Sequence, residues 1–199
     1  MLASITPLGE RGRNNHWAIT LTAFAAAATV AGAALGALLG AFGGLVLPSS
    51  FAGHARLVLA GLLVLIAVAI DLGADRRGAV PGPRRQVDER WLDRYRGWVY
   101  GLGYGAQLGL GVTTFITSAA TYVALACALL GVRAAAGAVI AGVYGALRGL
   151  TPLLAAAVHT PPQLLALHAR LDRVRPPVAR AGAALLGTGA LVALVTGLS

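Results

Sequence analysis

Five long apolar runs, separated by short polar segments, constrain this chain more than any other feature of its sequence. An apolar helix needs about 20 residues to cross the roughly 30 Å hydrocarbon core of a bilayer. The fold class predicted is therefore an all-α, polytopic membrane helix bundle with about five transmembrane helices. We name these spans A to E, and they cover about 17–46, 55–73, 97–131, 135–157 and 178–198.

Spans A and C are longer than a straight crossing requires. At about 1.5 Å per residue, a helix of roughly 30 to 35 residues reaches about 45–50 Å. Each of these two spans must therefore tilt, break or continue beyond the bilayer.

The composition argues against a soluble protein. Hydrophobic residues make up 57% of the chain and charged residues 12%, whereas a soluble domain has about a quarter charged residues. The net charge of +9 comes from arginines that occur in short bursts between apolar runs, so the basic character does not indicate nucleic-acid binding. The lipid bilayer is the partner that the composition predicts. All 16 basic residues are Arg, a composition that suggests a bacterial protein. Together with the apolar runs, this leads us to expect a protein of the bacterial cytoplasmic membrane.

The arginines also predict an orientation. Thirteen lie before span A, between B and C, and between D and E, whereas only two lie in the other connections. By the positive-inside rule the N-terminus lies inside and the C-terminus outside. The predicted organisation is a cytoplasmic N-terminal segment (1–16), a first helical unit with spans A and B (17–73), an Arg-rich cytoplasmic linker (74–96) and a second helical unit with spans C, D and E (97–199). This layout also fits a degenerate 3+3 inverted repeat that lacks its first span.

Small residues recur at every fourth position in spans A, C and D. Membrane helices associate through close backbone packing, which such spacing permits. We therefore predict helix packing through these glycines, mainly within one chain, and leave a homodimer or a partner membrane subunit open. The glycines concerned are Gly32, Gly36, Gly40, Gly44, Gly101, Gly105 and Gly109.

Polar side chains at membrane depth are candidates for a solute pathway, because their burial is costly. Arg148 lies inside span D, either reaching the cytoplasmic headgroups or awaiting an anionic ligand or an Asp71 partner. Span C carries a stripe at helical spacing that either forms hydrogen bonds within the bundle or lines a pathway. Its members are Tyr104, Gln107, Thr114, Ser118 and Thr121.

Nothing in the sequence points to enzymatic chemistry. The chain has one cysteine, Cys127, and four histidines that share no spacing suited to a metal site. We therefore expect no enzyme activity, no metal and no cofactor.

The order of the elements resembles a known family. WAITLTAFAAAATVAGAALGALLGAFGGLV and RLVLAGLLVLIAVAIDLG are similar to the second and third helices of the cytochrome-c-biogenesis (CcdA) and DsbD transmembrane-domain family. The apolar parts of spans C, D and E then resemble spans four to six, and GLTP in span D is similar to the proline-broken fifth helix. A family member without its first span would begin inside, in agreement with the predicted orientation.

The resemblance implies electron transfer through two cysteines, one in the first span and one in the fourth. Here ITPLGER is similar to the end of the first motif, but Leu8 stands at the cysteine position. Phe115 or a neighbour takes the place of the other cysteine. A thiol relay needs two sulfurs that can meet, so the relay is not expected within one chain. The related superfamily of LysE-type exporters transports solutes without cysteines, which implies transport instead.

Three functions follow as hypotheses. The first is a small-solute or ion carrier whose route runs between spans C and D. The second is a non-catalytic subunit of a membrane complex. The third is a CcdA-like thiol-redox protein in which a partner chain supplies the missing cysteine.

Overall fold

The computed structural model describes residues 5–48, 51, 53–77, 90–111 and 118–198, with the backbone alone at 74–77 and 93. All regular elements in these residues are helical, which confirms the predicted all-α fold class. They are α1 (Pro7–Gly12), α2 (Trp17–Val46), α3 (Gly53–Arg77), α4 (Arg90–Arg94), α5 (Gly97–Leu110), α6 (Ala120–Leu130), α7 (Ala134–Gly149), a 3₁₀ helix (Thr151–Ala155) and α8 (Pro161–Leu198).

Four helical segments in the described part are long and apolar enough to cross a membrane: Trp17–Val46, Gly53–Gly73, Ala134–Ala155 and Pro161–Leu198. They correspond to spans A, B, D and E, and α6 is a shorter apolar helix. The chain is therefore an integral membrane protein that crosses the bilayer several times.

Helix α2 forms the centre of the bundle and packs against α5, α6 and α7. Its contacts with α7 are antiparallel, because Gly36 lies against Gly137 whereas Gly32 lies against Ala141. Its contacts with α5 are parallel, because Thr20 lies against Gly101 and Phe24 against Gly105. A Cβ at any of these glycines would overlap backbone atoms of the facing helix, so the glycines allow the close approach.

The remaining long helices, α3 and α8, form a second, antiparallel pair. Gly61 of α3 lies against Ala190 of α8, and Gly197 lies against His54 and Val58. Helix α3 also packs against α6, which connects the pair to the central helices. Helix α8 is mostly exposed, and Ala190 is its one buried residue.

Span C is not a continuous helix. Helix α5 ends at Leu110, and Gly111 follows with a φ of 71°, a left-handed conformation that glycine adopts without steric cost. Helix α6 begins only at Ala120. Of the three alternatives for this overlong span, a break is the one observed.

Span E and the segment before it also differ from the sequence prediction. Span E was predicted to begin at residue 178, but the residues before it belong to the same helix, which begins at Pro161. Pro176 and Pro177 lie inside it. The φ of proline is compatible with a helix, but each proline removes one backbone hydrogen bond and its ring crowds the carbonyl four residues earlier, so the helix is weakened at this point.

Candidate solute site

The break between α5 and α6 lies near the middle of the bundle. Helices α5 and α6 both lie alongside α2, with Gly97 of α5 against Thr20 at one end and Leu129 of α6 against Gly43 at the other. Gly109, close to the end of α5, lies against Ala28. The last turn of α5 therefore sits about halfway along the 30 residues of α2.

An interrupted helix exposes backbone groups that a continuous helix would pair. The last carbonyls of α5 and the first amides of α6 lack partners within their own helices. In a hydrocarbon environment each such group must be satisfied by the protein or by bound molecules. The break is therefore a polar position inside an apolar bundle.

A cation lies at the C-terminal end of α5. Nη1 of Arg148, on α7, donates a hydrogen bond to the Leu108 carbonyl oxygen at 3.2 Å. The guanidinium carbon lies 5.6 Å from the centre of the Tyr144 ring, one turn earlier on α7. A positive charge at a helix C-terminus is favourable, because the aligned peptide dipoles make that end negative.

An anion lies at the N-terminal end of α6. Oδ1 of Asp71, on α3, accepts a hydrogen bond from the Ala119 amide at 2.7 Å, and Oδ2 accepts one from the Ser118 hydroxyl at 2.6 Å. The Ser118 hydroxyl oxygen also accepts a hydrogen bond from the Ala120 amide at 3.1 Å. Asp71 thus supplies an N-terminal cap from a different helix, and its sign matches the positive end of the α6 dipole.

A third polar contact connects the two sides. The hydroxyl groups of Thr121 and Tyr144 lie 2.6 Å apart, so α6 and α7 share a hydrogen bond beside the break. Thr121 is buried, whereas Tyr144 and Arg148 are half-buried. Five polar side chains therefore border the described ends of the break: Asp71 from α3, Ser118 just before α6, Thr121 from α6, and Tyr144 and Arg148 from α7.

Some of the site residues predicted from the sequence lie together and others do not. Ser118, Thr121 and Arg148 all border the break, whereas Thr114 lies outside the described residues. Tyr104 is buried in the core beside Tyr100 and stacks on Trp91 with ring centres 5.9 Å apart.

Gln107 is half-buried on α5. The predicted stripe on one helical face assumed a continuous helix. That assumption is wrong across the break, because α5 and α6 are separate helices.

Tyr144 was not among the site residues predicted from the sequence, and Asp71 was named only as a possible partner of Arg148. Span B was predicted to end at residue 73, which would place Asp71 at its cytoplasmic end. Helix α3 instead continues to Arg77, which puts Asp71 more than a turn before its end, and its carboxylate reaches α6. The open alternative of an Arg148–Asp71 pair is not observed, since each group bonds a different end of the break. A single aspartate directly after the apolar AVAI of span B was the available signal.

Among the described residues, no three His, Cys, Asp or Glu side chains are grouped so that they could hold a metal ion. Cys127 is half-buried on α6, and it is the chain's one cysteine.

No match to this chain was found among protein-family models, curated proteins or solved structures. The resemblance to the CcdA and LysE-type families therefore stays a prediction, and function is argued from this chain's own geometry.

Proposed function

We propose that this protein is a small-solute or ion carrier of a bacterial cytoplasmic membrane, and that the break between α5 and α6 is its solute site. The observation that carries the proposal is an interrupted span, halfway along the bundle, with a charged side chain at each of the two helix ends. Many carriers bind solutes near the midplane with discontinuous helices, because their free backbone groups and dipoles recognise charge. No enzymatic step and no cofactor belong to this proposal.

The charge at the break favours a solute that bears a negative group. Arg148 donates to a neutral backbone carbonyl at 3.2 Å and lies over an aromatic ring. A carboxylate or other oxyanion is a stronger acceptor for a guanidinium than a neutral carbonyl is. The solute would therefore compete with the Leu108 carbonyl for Arg148, while the Asp71 carboxylate holds the start of α6.

Flux measurements in proteoliposomes test this function. The parent protein, Arg148→Gln and Gln107→Leu are compared across a panel of small anions, zwitterions and metal ions. Arg133→Gln is the matched control, because Arg133 is exposed at the start of α7, away from the break. We expect Arg148→Gln to lower the flux of a carboxylate-bearing solute at least about tenfold, which corresponds to the loss of one charge-assisted hydrogen bond. The control should keep the parental flux.

Two outcomes would overturn the proposal. One is the absence of flux for every solute in the panel. The other is an Arg148→Gln protein that folds like the parent and transports at the parental rate. Unfolding temperature and elution volume, measured on each variant, separate loss of function from loss of fold.

A non-catalytic subunit of a membrane complex is the second candidate. The observation that favours it is the exposure of α8, where Gly182, Gly187 and Gly189 have no atom of another element within 4 Å of a built Cβ. Small residues exposed on a membrane helix can pack against another helix. This candidate predicts that no solute moves and that a defined second chain co-purifies in fixed stoichiometry.

A further inference from the structure

Residues 5–15 form a folded segment inside one end of the bundle. Thr6 caps α1, because its hydroxyl accepts a hydrogen bond from the Gly9 amide at 3.0 Å, and Pro7 occupies the first turn. Ile5, Thr6 and Glu10 are all fully buried. Residues 1–16 were predicted to lie on the cytoplasmic side, so this is the predicted cytoplasmic end of the bundle.

Glu10 is the central group of this segment. Its side chain has no exposed surface, although it is a carboxylate. Oε2 accepts a hydrogen bond from the Thr20 hydroxyl at 2.8 Å, and Oε1 accepts one from the Tyr100 hydroxyl. Oε1 also pairs with Nη2 of Arg13 at 2.8 Å. One carboxylate therefore connects α1 to α2 and to α5.

The surroundings of Glu10 are built to hold a charged group. Burial lowers the pKa of Arg13, but its hydrogen bonds to Glu10 and Tyr100 and the charge of Glu10 outweigh that effect and raise it, so Arg13 stays a cation. A Cβ on Gly97 would lie 3.0 Å from Oε2 of Glu10 and would overlap the Thr20 hydroxyl. The first residue of α5 must therefore be small for Glu10 to occupy this position.

The segment lies between this end of the bundle and the break. Ile5 packs into a buried cluster with Phe24, Tyr100, Tyr104 and Leu108. Leu108 is the residue whose carbonyl accepts the Arg148 hydrogen bond at the break. On the other side, the Leu8 amide donates a hydrogen bond to the Val158 carbonyl at 3.1 Å, just beyond α7 and the 3₁₀ helix. Residues 5–8 thus bridge α5 and the end of the α7 segment.

We infer that residues 5–13 are the gate at this end of the solute route and that Glu10 is its latch; this inference rests on the proposed carrier function. In the structure the gate is closed. Opening would move Ile5 out of the buried cluster that contains Leu108, and it would separate Glu10 from Thr20 and Tyr100.

The gate is small enough to open without unfolding the bundle. Helix α1 has six residues. Residues 5–13 bury two apolar side chains, those of Ile5 and Pro7, and their other described contacts are mainly polar ones that water can replace. Exchanging a buried hydrogen bond for bonds to water changes the free energy little when both partners become hydrated. Short segments with few apolar contacts belong to the low-stability regions of a protein, from which moving loops and lids are drawn.

Thiol labelling measures the opening directly. The background variant is Cys127→Ala, and the reporter is Thr121→Cys, since Thr121 is buried beside the break. A membrane-impermeant methanethiosulfonate reagent is added from either side of oriented vesicles, and the labelling rate is followed by mass. Glu10→Ala removes the latch, and Tyr100→Phe removes one hydroxyl while the ring stays. Arg11→Gln is the matched control on the exposed side of α1.

We expect Glu10→Ala to raise the labelling rate from the N-terminal side at least about tenfold and Tyr100→Phe to raise it about threefold, as the loss of buried hydrogen bonds would. Arg11→Gln should label like the background. Equal rates in all variants, or faster labelling only from the opposite side, would overturn the gate. If Glu10→Ala does not fold, Tyr100→Phe decides by the same criteria.

Labelling needs no transported solute, so the gate and the carrier can fail separately. Faster labelling without any flux would keep a mobile gate but refute the carrier. Flux that depends on Arg148, together with labelling that ignores Glu10 and Tyr100, would keep the carrier and refute the gate.

Discussion

The close contact of α2 with α7 predicts that Gly32→Ala destabilises this protein. A Cβ on Gly32 would lie 2.5 Å from the Ala141 carbonyl oxygen and 3.5 Å from that of Gly109. Ordinary contacts begin near 3.4 Å, so α2 and α7 would have to separate by about 1 Å in a close-packed interior. Overpacking costs about 1–3 kcal/mol, and because backbone atoms cannot rotate away we expect about 2–3 kcal/mol.

Gly187→Ala is the matched control, since it adds the same methyl group to α8 where no atom lies within 4 Å. Both substitutions gain the same helix propensity, up to about 1 kcal/mol, so their difference isolates the packing term. For a chain of this size each kcal/mol shifts Tm by about 2–4 °C, which places Gly32→Ala roughly 5–10 °C below Gly187→Ala. Thermal unfolding in detergent, followed by circular dichroism at one heating rate, measures the difference. Two equal Tm values would refute the close α2–α7 contact.

Two further predictions concern the break. Asp71→Ala should destabilise the start of α6 by about 1–2 kcal/mol, as loss of a cap does, and the Ala119 amide should exchange its hydrogen faster. Asp71→Asn keeps one acceptor oxygen and should have the smaller effect. Unchanged exchange in both variants would contradict the cap. The free energy of unfolding should fall by about 1 kcal/mol in Tyr144→Phe and by a similar amount in Thr121→Val. Because both substitutions remove the same hydrogen bond, the double variant should lose clearly less than the sum of the two. Additive costs would show that the two hydroxyls are not bonded.

The long apolar elements of this fold were accessible from sequence. Span A was predicted over 17–46 and is observed as Trp17–Val46. The position at which this helix ends is determined by the local sequence, because Leu47 precedes Pro48 and takes an extended conformation that stops the helix. Length and hydropathy decide such an element with little help from tertiary structure.

Gly109 and Gly111 predict a place where span C can loosen, and α5 ends there, but the extent of the break was not predicted because its cause is tertiary. Apolar and small residues continue through 97–131, so hydropathy shows no interruption. What stabilises the two helix ends comes from elsewhere in the chain, namely Asp71 on α3 and Arg148 on α7. Spacing within one helix therefore could not reveal it.

The buried position of Glu10 was equally hidden. Between Gly9 and Arg11, a glutamate has the sequence context of a solvated segment. Its burial depends on Thr20 and Tyr100, which are distant in sequence, and on the missing side chain of Gly97. Polar sites of this kind arise from the assembled bundle and have no local signature.

The pairing of α3 with α8 has a consequence for how the protein is made. Chains are synthesised from the N-terminus, so α3 enters the membrane well before its long partner exists. Until α8 follows, lipid must surround the side of α3 that α8 later covers, while α2, α5, α6 and α7 can already assemble. A chain that stops before α8 would thus keep its central helices and still present α3 without its antiparallel partner to the membrane's quality-control proteases.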